Sequence, residues 1–197
     1  MSNKPVIVGV TGGIGSGKST ICKIFEVLGC KVYYADDRAK SLMEHNEKIL
    51  VGVQSLFGKE AYQETKLNRK HISERAFKDE DLLGKLNDLV HPVVKSDFLG
   101  WVSENRENGI LLKEAALLFE NGSYKDLDSC ILVVSDEETR IRRVLSRDLH
   151  RDEQGVRDII GKQMSDEEKR PLANFIIDNN GEASVIQQVL EIHSKLS

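Results

Sequence analysis

Apolar residues fall along this chain in two rhythms. Short unbroken runs recur at 6–10, 31–35, 109–114, 130–135 and 174–178. Continuous apolar runs of this length, rich in Val, Ile and Leu, are what strands buried on both faces look like. Between them the spacing lengthens to the helical period. Ile21, Ile24, Phe25 and Leu28 mark one face of a helix over Ser19–Leu28, and Gly29 supplies its stop. Ser135-x-x-Glu138 and Ser165-x-x-Glu168 each read as a capping box opening a helix, and Gly181 punctuates the turn after the last strand. Strand and helix alternating in this way predict an α/β fold with a parallel sheet.

The intervals between strands are uneven. Residues 36–108 are far more than one crossover helix needs. They carry amphipathic patterns at Ile49, Val53, Leu56 and Phe57, and again at Leu82, Leu83, Leu86, Leu89 and Val90. This predicts a helical insertion able to form a wall for a second substrate. Residues 148–172, with Arg147 just before them, bring Arg151, Arg157, Lys162, Lys169 and Arg170 between two strands. That segment reads either as a solvated charged face or as a basic lid closing over polyphosphate.

The first strand runs straight into Gly12-Gly13-Ile14-Gly15-Ser16-Gly17-Lys18-Ser19, which fits G-x-x-x-x-G-K-[ST] at every fixed position. Strand, glycine loop and helix in that order are the context the motif requires. Glycines let successive N–H groups converge on one point, and the following helix start favours an anion. Lys18 is placed to reach the β- and γ-phosphates, Ser19 to ligate Mg²⁺, and Thr20 to add a donor. A nucleotide triphosphate site follows.

Composition narrows the class. The 197 residues suit a single domain, with 40% hydrophobic and 30% charged residues. A net charge of −4 gives no bulk attraction to nucleic acid or to an anionic membrane. No apolar stretch near the N-terminus is long enough for a signal or a membrane span. Cys22, Cys30 and Cys130 show no C-x-x-C spacing and read as small buried hydrophobes in a cytoplasmic protein. The five histidines have no metal-ligand spacing. No N-K-x-D segment reads guanine, and the chain is short for a mechanical ATPase. A small-molecule kinase is the expectation. Another metabolite kinase, or a nucleotide-binding regulator without transfer activity, are the alternatives.

The ordered pieces resemble the dephospho-coenzyme A kinase family over nearly the whole chain. They are Thr11-Gly12-Gly13-Ile14-Gly15-Ser16-Gly17-Lys18-Ser19-Thr20, Val32-Tyr33-Tyr34-Ala35-Asp36, Leu67-Asn68-Arg69, His91-Pro92, and Ala116-Leu117-Leu118-Phe119-Glu120. Arg143 through Arg147-Asp148, Gln163, Ala173, and Ile177-Asp178-Asn179-Asn180-Gly181 complete the set. Three positions depart from the family pattern. Tyr34 stands where the family's first Asp of D-A-D would be, Ala116 replaces a Pro, and Asn174 replaces an Asp.

The resemblance implies a three-layer P-loop kinase fold with a five-stranded parallel sheet ordered 2-3-1-4-5. One domain would span 1–197, with a core of 1–35, 109–147 and 173–197. An acceptor-binding helical insertion would occupy 36–108 and a lid 148–172. It implies transfer of the ATP γ-phosphoryl to the 3′-hydroxyl of dephospho-coenzyme A, with ATP and Mg²⁺ as cofactors. Asp36 and Lys18 would be catalytic, Asp36 by accepting or orienting the hydroxyl proton, its bland role being to cap a helix beginning near Asp37. ATP would contact Gly13, Ile14, Gly15, Ser16, Gly17, Lys18, Ser19, Thr20, Arg143, Arg147 and Asn179. Of the two arginines, one would pack on adenine and the other meet phosphate, the alternative being surface pairing with Asp148 or Glu138. Asp36, Arg69 and His91 would face the acceptor, His91 being otherwise a helix-end histidine before Pro92. Ser19 would hold Mg²⁺, with Glu114 supporting it from the third strand. Trp101 reads as a packing residue. The expected partners are these small molecules, not nucleic acid or membrane, in a monomer or weak homo-oligomer.

Overall fold

A computed structural model describes residues 4–64, 66–76 and 79–197. In chain order the strands are β1 (Val6–Thr11), β2 (Lys31–Tyr34), β3 (Tyr62–Gln63), β4 (Lys66–Leu67), β5 (Ile110–Glu114), β6 (Ser129–Val134) and β7 (Phe175–Asp178). The α-helices are α1 (Lys18–Val27), α2 (Ala35–His45), α3 (Glu47–Phe57), α4 (Arg69–Ala76), α5 (Glu80–Glu104), α6 (Glu137–Arg147), α7 (Glu153–Lys162), α8 (Asp166–Lys169) and α9 (Val185–Leu196). The chain divides into two compact units, one of residues 1–34 with 105–197 and one of residues 35–104.

The first unit is built on a five-stranded sheet ordered β2-β5-β1-β6-β7, parallel throughout. Counting only these five strands, this is the predicted order 2-3-1-4-5. β1 lies at the centre, with Val6 opposite Ile110 on one side and Val8 opposite Ser129 on the other. Alternation then sorts the side chains. Val8, Val10, Ile110, Leu112, Ile131, Val133 and Ile177 join Ile21, Cys22 and Phe25 of α1 and Val189 and Ile192 of α9 in one cluster. Leu111 and Leu132, one step along their strands, are fully buried as well. On the face that Gly9 presents, Leu118 and Leu127 come so close that a Cβ would meet both side chains. A sheet covered on both sides explains why its strands are apolar without alternation.

The second unit is helical. Ile49, Val53 and Phe57 of α3 are fully buried, and gather Ile72, Ala76 and Val90 with Leu42, Leu86, Leu89, Val93 and Val94 around them. Tyr62 Oη donates to the Met43 carbonyl at 2.7 Å, which fastens the β3–β4 hairpin to α2. Arg38 makes two bonds to the Asp97 carboxylate, tying α2 to α5. The two amphipathic stretches of the sequence are α3 and the first part of α5, with Leu83 alone of them more than a third exposed.

Three local expectations are corrected. Ser135 does not cap α6; Asp136 does, accepting the Thr139 N–H at 2.8 Å. The true cap lies one residue further on, and Ser135 is drawn away by Asn180, whose Oδ1 accepts its hydroxyl at 3.0 Å. The Ser165–Glu168 capping box forms as expected. His91 does not end a helix, because Pro92 lies inside the 25-residue α5. Proline removes one helix N–H there, and packing by Val90, Val93 and Val94 on the second unit's core holds the helix through it. Finally, α2 begins at Ala35, so Asp36 belongs to its first turn and is not a cap before Asp37.

All three cysteines are free and buried. Burial pushes every one of their thiols up: Cys22 well above the usual range, Cys30 by a smaller step, and Cys130 to about 11 despite a backbone hydrogen bond at Gly9. At pH 8 the folded protein should therefore react slowly with a thiol-specific chromogenic reagent, and release three equivalents promptly once unfolded in denaturant. Leu112→Ala, in a fully buried position of the sheet, should cost about 2–5 kcal/mol in denaturant unfolding of the strand-bearing unit.

Candidate active site at the phosphate loop

β1 ends at Thr11 and α1 begins at Lys18, so the glycine motif is the whole connection. Gly17 closes it in a left-handed conformation, φ 99°, at the N-cap position, where a side chain would be strained. No side chain caps α1 and no acidic residue sits in its first turn. The helix start thus offers its positive dipole end to an outside anion. Ser19 and Thr20 are exposed there. Ser16 is almost completely buried, and its hydroxyl has no hydrogen-bond partner in the protein. An orphaned hydroxyl inside a ring of amides fits a site that a phosphate oxygen completes.

The outward side of the loop is held by side chains from far along the sequence. Lys18 Nζ folds back to donate to the Gly12 carbonyl at 2.9 Å and lies 3.4 Å from the Gly13 carbonyl. Asn179 Nδ2 donates to the Ser16 carbonyl at 2.8 Å. Arg143 reaches the Asn179 carbonyl at 2.8 Å and Ser135 Oγ at 3.2 Å, with longer bonds to the Gly15 and Ser16 carbonyls. Arg143 therefore pairs with neither Asp148 nor Glu138; its guanidinium braces the loop from behind. Asn179 belongs to the same brace, its N–H donating to the Val134 carbonyl and its own carbonyl taken by Arg143.

Arg140 and Gln163 complete the brace. The Ile14 peptide groups are held twice: Arg140 Nε donates to its carbonyl at 2.9 Å and Gln163 Oε1 accepts its N–H at 2.9 Å. Arg140 is only 8% exposed, and a Cβ on Gly13 would run into its guanidinium. Sequence reasoning missed Arg140. The one signal was its place three residues before Arg143 and seven before Arg147, on one helical face.

The other expected residues are placed as follows. Glu114 is buried at the end of β5, opposite both Val10 and Tyr34. Its charge and that of Glu26 add to burial in raising the Cys22 thiol, while Lys18 acts in the opposite sense. Tyr34 is drawn to α1: burial first, then Cys22 and a hydrogen bond with Glu26, push its phenol well above the usual range. Arg147 is exposed on α6. The basic character of 148–172 is largely spent on neighbours. Arg157 is held by Glu137, Glu138 and Glu153, Arg151 by Asp148, and Lys169 is fully buried beside Glu120. In the helical unit, Asp36 is exposed in the first turn of α2, and Arg69 opens α4 with Glu44 4.0 Å away. His91 is exposed on α5, and Trp101 stacks on Phe98 at 6.2 Å.

Comparison with known proteins agrees with this picture. The family model for dephospho-CoA kinase matches residues 6–184. A dephospho-CoA kinase of Chlorobium luteolum is 39% identical over 200 residues, covering 98% of this chain and 91% of that one. Among solved structures, TT1252 from Thermus thermophilus superposes with a TM-score of 0.88 at 31% identity, covering 98% of this chain and 99% of its own. Dephospho-CoA kinase from Campylobacter jejuni does so with a TM-score of 0.70 at 26% identity, covering 97% and 96%. With a glycine loop braced for a polyphosphate at the end of its central strand and matches running through nearly its full length, this chain belongs to the dephospho-CoA kinase family.

Proposed function

We propose that this chain transfers the γ-phosphoryl of ATP to the 3′-hydroxyl of dephospho-coenzyme A, giving coenzyme A and ADP, the last step of coenzyme A synthesis. The observation that carries the reading is the braced loop before an uncapped helix, in a member of this kinase family. The acceptor oxygen forms a bond to the γ-phosphorus as the bond to the β–γ bridging oxygen breaks. ADP leaves with that electron pair, and the hydroxyl proton passes to a carboxylate. Most of the catalysis is positioning and charge neutralisation. Main-chain amides of the loop grip the phosphate oxygens, and Lys18 swings its ammonium from the Gly12 carbonyl onto the β- and γ-oxygens.

Asp36 is our candidate for the proton acceptor; the family resemblance and its exposed place in the first turn of α2 support it. Arg69 and His91, both exposed on the helical unit, are candidates for acceptor contacts, and residues 36–108 for the acceptor-binding insertion. Residues 148–172 serve as the lid, with Arg143, Arg147 and Asn179 on the nucleotide side. Among the described residues no group of three or more His, Cys, Asp or Glu is placed to hold a metal. An Mg²⁺ would arrive with the polyphosphate, with the Ser19 hydroxyl to ligate it and the buried Glu114 to balance its charge. When bound, the ion neutralises charge on the transferring phosphoryl group. No described helix is long and apolar enough to cross a membrane. Free buried thiols support a cytoplasmic setting, and we take the protein to be a monomer or weak homo-oligomer.

A coupled ADP-release assay with ATP and Mg²⁺ should show dephospho-coenzyme A far outrunning AMP, CMP and shikimate; equal rates would reject the assignment. Lys18→Met should silence turnover. Asp36→Ala should leave nucleotide affinity nearly intact while kcat falls by about 10² or more; a change confined to KM would remove Asp36 from the proton transfer. Gly15 has φ 78° and lies directly against the Arg140 backbone. Gly15→Ala has nothing flexible to displace, so calorimetric ADP affinity should drop by about tenfold or more.

A further inference from the structure

Arg140 has no part in the chemistry written above, yet it is the most buried arginine tied to the loop. Its Nε donates to the Ile14 carbonyl. Next to it, the short segment 163–169 is fastened at three points. Gln163 accepts the Ile14 N–H at 2.9 Å. Met164 donates its N–H to Glu120 Oε1 at 3.2 Å. Lys169, with no exposed surface, brings Nζ to 2.9 Å from the same oxygen, an ion pair by distance whose angles do not make a hydrogen bond. Asp166 lies between these anchors, and its Oδ1 is buried without a hydrogen-bond partner. Burial raises the Asp166 carboxyl, while the charges of Arg140 and then Lys169 act against that rise. The segment and Arg140 thus meet at Ile14, one through Gln163 and the other through its own Nε, and a buried carboxylate oxygen left unfilled in that segment favours a cation nearby.

We propose that Arg140 is a positioning residue for nucleotide binding: it holds the Ile14 carbonyl while Gln163 holds the Ile14 N–H, so docking of the 163–169 segment beside Arg140 sets the orientation of the two peptides that flank Ile14 at the tip of the phosphate loop. The inference rests on the nucleotide reading of the loop. The Ile14 N–H and carbonyl are opposite handles of the loop tip. One is held from the segment directly, through Gln163, and the other through Arg140. Releasing either handle lets the tip peptides turn and misalign the amides that follow. Glu120 and Lys169 supply the fixed post against which the segment is fastened.

The test uses the full-length protein with Arg140→Met, Arg140→Lys, Asp166→Asn and the double variant Arg140→Met/Asp166→Asn. Two readouts are taken, calorimetric ADP affinity and steady-state KM for each substrate, with circular dichroism as the check on folding. Arg140→Met should weaken ADP binding and raise the KM for ATP by about tenfold, with the KM for dephospho-coenzyme A within about twofold of the parent. Arg140→Lys should recover part of that loss, since an ammonium can still donate to Ile14. Asp166→Asn should weaken ADP binding by about threefold alone and add little in the double variant, the mark of residues acting as one unit. A folded Arg140→Met with unchanged ADP affinity overturns the proposal, as does full additivity of the two substitutions. If Arg140→Met fails to fold, Arg140→Lys and Asp166→Asn decide it, and parent-like ADP affinity in both overturns it. Failure of the parent protein to bind ADP would reject the nucleotide reading instead.

Discussion

A loop that turns its amide N–H groups inward to hold an anion must leave its carbonyls pointing elsewhere, and those carbonyls need partners. That constraint organises the sheet-bearing unit. Gly12 and Gly13 give their carbonyls to Lys18, Ile14 to Arg140, Gly15 and Ser16 to Arg143, and Ser16 also to Asn179. Every one of these partners but Lys18 lies more than a hundred residues along the chain. The parallel sheet brings them there, because β1, β6 and β7 end side by side and their following segments share one edge. Fold and site are thus joined by backbone accounting: without the strand order β1-β6-β7, the Ile14, Gly15 and Ser16 carbonyls would lose their guanidinium and amide donors.

Sequence disclosed the parts whose physics is local. Buried parallel strands announce themselves as apolar runs, and all five fell within a residue or two of their expected bounds. The glycine loop was legible because its chemistry is written in consecutive residues. The two-residue strands β3 and β4 are too short to carry any period, and they escaped. Ser135-x-x-Glu138 read as the cap of α6, yet Asp136 takes that place while Ser135 bonds to Asn180, a partner that lies far along the chain. Pro92 argued for a helix end by its missing N–H, yet a continuous apolar face on α5 outweighs one lost bond.

The brace was the least legible part of the site. Arg143 read as a ligand for nucleotide, and its hydrogen bonds go to the loop, to Ser135 and to Asn179. Arg140 read as nothing, since a single arginine on a charged helix is usually solvated. Its burial follows from Ile141, Val144 and Val156 packing with Ile14, which draws α6 and α7 down over the loop. The basic run of 148–172 shows the same lesson from the other side. Composition counts positive charges but cannot say which are already matched, and Arg157 alone answers to three glutamates. Tyr34, in the position of a family carboxylate, proves to be a neighbour of Glu26 on the core side of the sheet.

The uncapped start of α1 has a consequence for the life of the protein. Five other helices have their starts closed by a side chain: Asn46, Asp136, Asp152, Ser165 and Ser184 each accept an amide. α1 forgoes that stabilisation, about 1 kcal/mol for a typical cap, and leaves it to whatever anion it meets. A ligand at 100 times its dissociation constant adds about 2.7 kcal/mol to the folded state. Ligand occupancy is thereby part of what keeps this helix start folded, so the loaded molecule is the sturdier one.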